Sequence, residues 1–304
     1  MFRRAGVRRA NFSAAFVEHY FGHLFPQQGR EVPDLLDVLP GPADTVADAY
    51  RFQGLVVDRL CETGGLAEPG KAPPGRRIGL KVQLKTDTVL KNLRAPADVV
   101  CPLLSSWRFK SGAKFNRLQR RIQAVDLTLL LELATDDCSA LVDAADKDDR
   151  AFLTPASGLG AHVAAVYPAL EIAGSRFPFY APHLPAYLSD LTSHAAIVVG
   201  EPKTAAQVAR TNFADHGAVL LRESIPVAVG HGKECHGHPL LAAAKGLAVA
   251  RAHCGLDVTR GMKGLLVTSG SWCRIAAYQP GTFEANFGPL GKVTATLEDA
   301  AAQV

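Results

Sequence analysis

The sequence predicts an α+β protein in which a small helical N-terminal part precedes a β-rich domain with one long helix. Two observations support this prediction. Helical spacing of apolar residues comes early in the chain and ends in a proline-rich loop, and short apolar or alternating runs dominate beyond it. The 304 residues, 48% of them hydrophobic, are enough for a substantial core.

The first twenty residues, "MFRRAGVRRANFSAAFVEHY", contain four arginines and no acid before Glu18. The arginines are Arg3, Arg4, Arg8 and Arg9, and the apolar residues spaced for one helical face are Phe2, Val7, Phe12 and Phe16. An Arg-rich, acid-poor, amphipathic start is typical of a mitochondrial transit peptide, and we favour this over an ordinary basic helix. We therefore expect residues 1–20 to be a targeting or docking extension and the protein to be mitochondrial, on the matrix side.

Residues 21–75 are predicted to be a helical N-terminal region. The run "DTVADAYRFQGLVVDRLCETGG" places Val46, Tyr50, Leu55 and Leu60 at spacings compatible with one helical face and stops at two glycines. The loop "GLAEPGKAPPG" that follows has three prolines and marks a domain boundary. We assign residues 76–304 to the second domain.

The second domain is predicted to consist of strands and one helix. Its short apolar or alternating segments are "RRIGLKVQL", "IQAVDLTLLLEL", "HVAAVYPALEIAG", "AAIVVGE", "GAVLLRES", "KGLLVTSGS" and "GKVTATLE". Bounded by Gly, Pro, Asp and Ser, they are typical of strands in a mixed or antiparallel sheet system. The Ala/Leu-rich run "HPLLAAAKGLAVARAHCG" predicts a helix that opens with Pro239 and ends near Gly255.

Composition argues against several classes of function. The net charge is only +4, and basic residues do not form a stripe outside the N-terminus, so we expect no nucleic-acid partner. Apolar runs are too short to cross a membrane. The six cysteines form no CxxC pair, which indicates reduced thiols in a compartment that is not secretory.

The segment "GHGKECHGHPL" concentrates histidine and cysteine, the ligands that zinc prefers, at His231, Cys235, His236 and His238. Their spacing fits no standard zinc finger, and the segment leads directly into the predicted helix. We favour a Gly-rich turn that ends in a helix start over a metal site.

Glu171 lies inside the strand-like run "VYPALEIAGS". Because a buried, unpaired carboxylate is costly, this side chain must face water, find a partner or hold a cation. The residues alone do not decide between these roles.

Several segments in order resemble the fumarylacetoacetate hydrolase superfamily, in its 2-keto-4-pentenoate hydratase and 2-oxo-hepta-3-ene-1,7-dioate hydratase branch. The matching segments are "GLKVQL" (79–84), "YPALEIAGSR" (167–176), "SDLTSHAAIVVGE" (189–201), "GKECHGHPLLAAAKGLA" (232–248), "LLVTSGS" (265–271) and "YQPGTFEANFGPLGKVTATL" (278–297). The resemblance covers roughly residues 45 to 300.

The resemblance implies a mixed β-roll preceded by helices. Active members bind Mg²⁺ or Mn²⁺ through three carboxylates, and the ion polarises and orients a small 2-oxo acid. On this mapping Glu171 is the third metal ligand and Lys81 takes part in proton transfer. Arg176, Ser193 and Thr268 occupy positions where substrate contacts are expected.

The chain departs from the family at the first two metal ligands. A Glu-x-Glu pair is expected where this chain has "RRIQAVDLTL", so the matching positions are Gln123 and Val125. Asp126 is adjacent, but a shift of one residue on a strand points its side chain to the opposite face unless a β-bulge intervenes. We therefore expect one charged ligand, Glu171, and loss of the metal-dependent activity.

Three hypotheses follow. The first is a non-catalytic relative of the hydratases that needs no cofactor and serves as a structural or accessory subunit of a mitochondrial assembly, docked through its basic N-terminus. The second is an active Mg²⁺- or Mn²⁺-dependent hydratase or decarboxylase, a lyase acting on small 2-oxo-alkenoic acids through Glu171, Asp126 and Gln123. The third is a metal-independent binder of small acids that holds a carboxylate with Lys81 and Arg176. The resemblance also implies a homo-oligomer as an option.

Overall fold

A computed structural model of the chain describes residues 45–63, 75–117, 121–148, 153, 159–177, 181–273 and 275–299. The extension predicted over residues 1–20 lies outside the described residues, as does much of the helical region predicted over 21–75. Within that region the structure describes α1 (Val46–Thr63), which has the predicted helical character.

Short helices surround the sheets, and two longer ones pack against them. After α1 come α2 (Thr88–Asn92), α3 (Ser139–Asp146), α4 (Leu159–His162), α5 (Leu184–Ser189), α6 (Ala205–Val208) and α7 (Pro239–Cys254). The long helix α7 begins at the predicted proline and is capped by Gly255, whose φ of 66° places it in the left-handed region that glycine adopts without steric cost.

Nine strands of the described residues form one large mixed sheet. They are β1 (Arg77–Gln83), β2 (Val99–Leu104), β3 (Arg108–Lys110), β5 (Ile122–Leu133), β6 (Val163–Gly174), β7 (His194–Val199), β8 (Lys203–Thr204), β11 (Leu266–Thr268) and β12 (Ala276–Ala277). The spatial order is β2-β1-β11-β5-β6-β7-β3, with β12 beside β5 and β8 beside β6. The β1–β11 and β7–β3 pairs are parallel, whereas β6 runs antiparallel to both of its neighbours, β5 and β7.

A second sheet has five strands. They are β4 (Ala113–Asn116), β9 (Gly217–Arg222), β10 (Ile225–His231), β13 (Gly281–Asn286) and β14 (Lys292–Glu298), in the order β10-β9-β13-β14-β4. Strands β13 and β14 pack against β6, so the two sheets share the core. The expected α+β fold with mixed sheets is confirmed.

The core lies between α7 and the large sheet. Ten residues of α7 are buried, because it packs against β1 and β2 on one side and against α1 and α3 on another. A side chain at Gly246 would lie 2.3 Å from a methyl group of Val82, so this glycine permits the close approach of α7 to β1. In the part of the chain that is described, no helix is both long and apolar enough to cross a membrane.

The close approach of β1 to β11 predicts a specific sensitivity. A Cβ on Gly79 would lie 1.7 Å from the carbonyl oxygen of Leu266, which belongs to the backbone and cannot rotate away. We expect Gly79→Ala to lower the free energy of unfolding by about 2 kcal/mol or more, because β1 must move away from its partner. Urea denaturation monitored by circular dichroism measures this change.

Gly54→Ala is the matched control. Gly54 lies within α1, and an added Cβ would have no atom within 4 Å. Replacing a glycine in a helix interior by alanine stabilises by about 0.5–1 kcal/mol, so the same substitution should act with the opposite sign here. Equal effects at the two positions would contradict the packing of β1 on β11.

Candidate functional site

A cavity of about 1270 Å³ lies at one end of the large sheet. Its polar lining comes from β1, β5, β6, α5, the turn before β7, the loop after β1 and the segments after β10 and β11. The polar residues that line it include Lys81, Gln83, Asp87, Gln123, Asp126, Glu171, Tyr187, Thr192, Ser193, Lys233, His236 and Ser271.

Strand alternation explains which side chains line this cavity. Side chains two residues apart on a strand share a face, so Lys81 and Gln83 of β1 line the cavity together, as do Glu171 and Ala173 of β6. All of these except Ala173 are buried polar or charged residues. These strand positions therefore place polar groups inside the roll.

Lys81 and Glu171 form a buried ion pair. The Lys81 Nζ atom lies 2.5 Å from Glu171 Oε1, and the two residues are 1% and 6% exposed. On a flat sheet β1 and β6 would be about 14 Å apart, so their contact requires the sheet to curl. Glu171 thus has a cationic partner supplied by the chain itself.

Asp126 lies directly opposite Glu171 across the β5–β6 pair, on the same face. The expectation that Asp126 points away from Glu171 is wrong. The register shifts between Ile122 and Ala124, where one extra residue on β5 forms a β-bulge. Because a shift of one residue exchanges the two faces of a strand, this bulge turns Asp126 into the cavity.

The bulge also determines where the side chains at the two expected ligand positions lie. Val125 is fully buried in the apolar core and does not line the cavity, so this position supplies no ligand. Gln123 does line the cavity and is half-buried. The expected Glu-x-Glu pair is therefore replaced by one amide and, three residues later, one carboxyl group.

Burial and the neighbouring Glu171 charge raise the pKa of Asp126 well above its usual range. Ser271 Oγ lies 2.8 Å from Asp126 Oδ1 and 2.6 Å from the carbonyl oxygen of Cys273. The Ser271 hydroxyl donates to Asp126 Oδ1, and this hydrogen bond offsets part of the increase in the pKa of Asp126.

A third carboxyl group, Asp87, lines the cavity beyond β1. It accepts hydrogen bonds from the Gln83 side chain and from the backbone N–H of Leu84 at 3.1 Å. Burial raises the pKa of Asp87 to about 6, a shift that these hydrogen bonds and Lys81 reduce. Near neutral pH Asp87 is therefore mostly ionised.

A left-handed turn supports the other side of Lys81. Leu191, Thr192 and Ser193 have φ values of 52°, 52° and 54°, and the Thr192 carbonyl oxygen accepts a hydrogen bond from Lys81 Nζ at 2.7 Å. A β-branched residue such as threonine rarely adopts this conformation, so the surrounding contacts must hold the turn in place.

Arg176 and Asp190 provide this support. Arg176 Nε lies 2.5 Å from Asp190 Oδ1, Ser175 Oγ donates to the same carboxylate at 2.8 Å, and all three residues are buried. Arg176 also donates to the carbonyl oxygens of Gly174 and His194. The pair fixes the end of β6 to the residue that precedes the left-handed turn.

Of the three residues expected to contact substrate, one lines the cavity and two do not. Ser193 lines the cavity, as expected. Arg176 does not, because its guanidinium is turned to Asp190 and to backbone carbonyls. Thr268 does not either, because its Oγ1 accepts a hydrogen bond from the backbone N–H of Val82 at 2.8 Å and joins β11 to β1. For Arg176 and Thr268 the geometry therefore supports a role in the fold instead of the expected contact with substrate.

The histidine-rich segment does not converge on one point. His238 caps α7 by accepting a hydrogen bond from Leu240 N–H at 3.1 Å, and burial lowers its pKa to about 4. His236 Nε2 contacts Asp98 Oδ2 at 2.7 Å, and Cys235 is buried beside the Ser271 carbonyl. These contacts support a turn that ends in a helix start.

The donor set fits a divalent metal poorly. Glu171 is held by Lys81, Asp126 favours its protonated form, and the position of Val125 has no donor. Within the described ranges no group of three His, Cys, Asp or Glu side chains is placed to hold one ion. Mg²⁺ and Mn²⁺ prefer ionised or carbonyl oxygen donors, and here the Glu171 carboxylate is already paired with the Lys81 ammonium group.

Several cavity residues were not expected from the sequence. Asp87, Tyr187, Thr192 and Ser271 all line the cavity. Thr192 lies in the segment that resembles the family, and a hydroxyl there is a signal that sequence reasoning passed over. Asp87 and Tyr187 lie on a loop and on a short helix, so strand alternation does not reveal them.

Comparisons with known proteins agree with this architecture. No family model matches the chain. It is 29% identical over 297 residues to "REH2-associated factor 2" of Trypanosoma brucei brucei, a similarity that spans 98% of this chain and 100% of that protein.

Two solved structures of 4-oxalocrotonate decarboxylase from Pseudomonas putida G7 are similar to it. One is complexed with magnesium and adipate and the other with calcium and acetate, with TM-scores of 0.71 and 0.70 at 18% identity. Each similarity covers 93% of this chain and 96% of the decarboxylase chain. The chain therefore shares its fold with these enzymes, and the β-roll that the sequence resemblance implied is confirmed.

The raised pKa of Asp126 predicts how stability depends on pH. Its pKa is raised in the folded state, so an unfolded chain releases this proton above about pH 4 while the folded chain keeps it. The native protein therefore loses stability as pH rises, by up to about 1.4 kcal/mol for each pH unit until Asp126 ionises.

Asp126→Asn removes this titration and keeps the shape of the side chain. The stability of the variant relative to the native protein should rise between pH 4.5 and pH 7, as measured by urea denaturation of both proteins at each pH. Subtracting the two curves cancels the titration of other groups. A difference that does not change with pH would mean that Asp126 is ionised in the folded protein.

Proposed function

We propose that this chain, whose fold is that of the fumarylacetoacetate hydrolase superfamily, is a non-catalytic accessory subunit of a mitochondrial assembly. The observation that carries the proposal is the buried contact between Lys81 and Glu171. The carboxylate expected to complete a metal site is 2.5 Å from an ammonium group instead.

The charge balance supports loss of the metal. A divalent ion in this cavity would have to compete with Lys81 for Glu171, while Asp126 would have to release its proton. Losing even an outer-shell partner of a metal ligand commonly costs 10- to 100-fold in affinity or activity, and here a direct ligand is missing. The superfamily's chemistry depends on such an ion, so we infer that the reaction is lost.

The similarity to "REH2-associated factor 2" supports an accessory role. That protein is named for its association with another, and the similarity runs along the full length of both chains. We infer that this chain, too, acts through protein partners. The basic extension at residues 1–20 supports mitochondrial import or docking on such a partner.

Asp126 favours a second candidate function, an active metal-dependent lyase acting on small 2-oxo-alkenoic acids. The β-bulge places this carboxyl group beside Glu171, which the sequence pattern did not predict. If a bound ion displaced the proton of Asp126, two carboxylates and the Gln123 amide would face the same space, with Lys81 beside them to move a proton.

Titration with Mn²⁺ separates the two functions. We expect isothermal titration calorimetry to show no saturable binding of Mn²⁺ to the native protein up to the millimolar range at pH 7, because Glu171 is paired with Lys81 and burial of Asp126 disfavours its charged form. Gln123→Glu adds an acidic oxygen donor to the cavity, and we expect it to raise the affinity for Mn²⁺ at least 10-fold.

Glu171→Gln is the control for site-specific binding. Native protein that binds Mn²⁺ in the micromolar range, with binding abolished by Glu171→Gln and turnover of a 2-oxo-alkenoate in its presence, would establish the lyase and refute the accessory role.

The accessory role also predicts behaviour in the cell. A copy of the chain with a C-terminal tag, expressed in its source cells, should fractionate with the mitochondrial matrix. It should also elute well above monomer size, at a fixed ratio to the same partners through two successive columns. A variant with Arg3, Arg4, Arg8 and Arg9 replaced by Gln should lose this location or these partners. Elution as a monomer outside the organelle would contradict the proposal.

A further inference from the structure

We infer that the cavity binds a short-chain oxo or hydroxy acid without a metal, with the neutral oxygen of the ligand at the inner end and its carboxylate at the mouth. This orientation is the reverse of one in which a metal chelates the oxo-carboxylate end. The inference rests on the metal loss proposed above.

The charges at the inner end exclude a carboxylate there. Among the cavity residues that the structure describes, Lys81 is the buried cation, and its charge is matched by Glu171 at 2.5 Å. Asp126 lies opposite Glu171 and adds no positive charge. An anion at this end would meet Glu171 with no counter-charge to offset its desolvation.

The same inner end offers hydrogen-bond donors to a neutral oxygen. The Lys81 ammonium has three hydrogens, and Glu171 and the Thr192 carbonyl account for two of them. The Thr192 hydroxyl oxygen is buried and has no hydrogen-bond partner in the part of the chain described here. Because a buried hydroxyl without a partner is costly, a ligand oxygen that accepts from Thr192 and Lys81 would remove that cost.

The strained backbone at Thr192 supports the same conclusion. Three successive residues in the left-handed region, one of them β-branched, cost conformational energy. The Arg176–Asp190 pair holds the turn in this conformation. In this conformation the Thr192 carbonyl faces Lys81, and Thr192 lines the cavity. Such strain concentrates at ligand-binding sites.

The mouth of the cavity has the opposite character. Lys91 and Lys233 line it and are exposed, and one exposed acid, Glu234, accompanies them. His231 lines the same part and is half-buried, while His236 is engaged by Asp98. A carboxylate at this end meets a net positive, solvated surface, which is a favourable setting for an anion.

Four six-carbon probes test the orientation by calorimetry in the presence of EDTA. 5-Oxohexanoate carries a ketone at one end and a carboxylate at the other, hexanoate lacks the ketone, 2-hexanone lacks the carboxylate, and 2-oxohexanoate carries both groups at one end. We expect 5-oxohexanoate to bind most tightly, because it alone places a neutral acceptor at the inner end and an anion at the mouth.

Two pairs of variants assign the ends. Thr192→Val keeps the β-branched shape and should weaken 5-oxohexanoate binding about fivefold, while Thr192→Ser keeps the hydroxyl and should retain the affinity. Lys233→Gln should weaken it about threefold and reduce its salt dependence. Lys263→Gln removes an exposed charge outside the cavity lining and should change neither. Circular dichroism spectra of all variants exclude misfolding as the cause.

The outcomes separate this inference from the proposed function. Equal binding of all four probes, or 5-oxohexanoate binding unaffected by Thr192→Val, would overturn the orientation. Absence of binding both in EDTA and in Mn²⁺ would overturn the inference and leave the accessory role standing. Binding of 2-oxohexanoate that requires Mn²⁺ and Glu171 would overturn both.

Discussion

The ion pair between Lys81 and Glu171 is the contact on which the rest of the cavity depends. It joins β1 to β6 across the curled sheet, and it is nearly inaccessible to solvent. Removing one partner of such a pair typically costs about 3–5 kcal/mol, because the other charge stays buried and unpaired. The pair supplies the Glu171 carboxylate with a cation from the chain itself, and the Thr192 carbonyl completes the surroundings of Lys81.

Much of the fold could be predicted from local pattern. Strand β5 matches the run "IQAVDLTLLLEL" from end to end, and α7 begins at Pro239 and is capped by Gly255, as these two residues indicate. Strands β2 and β10 were missed because their sequences do not alternate cleanly. The first contains a proline, and the second is an edge strand that exposes Ile225 and Val229.

The chemistry of the site was harder to predict because it depends on one residue of register. The family resemblance placed a ligand position at Val125 and turned Asp126 away, whereas the β-bulge reverses both side chains. A bulge is a property of two paired strands, and the sequence of one strand does not reveal it. Arg176 and Thr268 were also expected to contact substrate because they lie within family-like motifs. Instead, Arg176 holds the end of β6 in place and Thr268 joins β11 to β1.

The central claim is that Lys81 occupies the place of the metal's charge at Glu171. Diffraction from crystals grown in millimolar Mn²⁺, with data collected at the manganese absorption edge, tests it most directly. The account predicts that Lys81 Nζ stays within hydrogen-bonding distance of Glu171 and that no anomalous peak lies between Glu171 and Asp126. An anomalous peak bridging these two carboxylates, with Lys81 displaced, would contradict it.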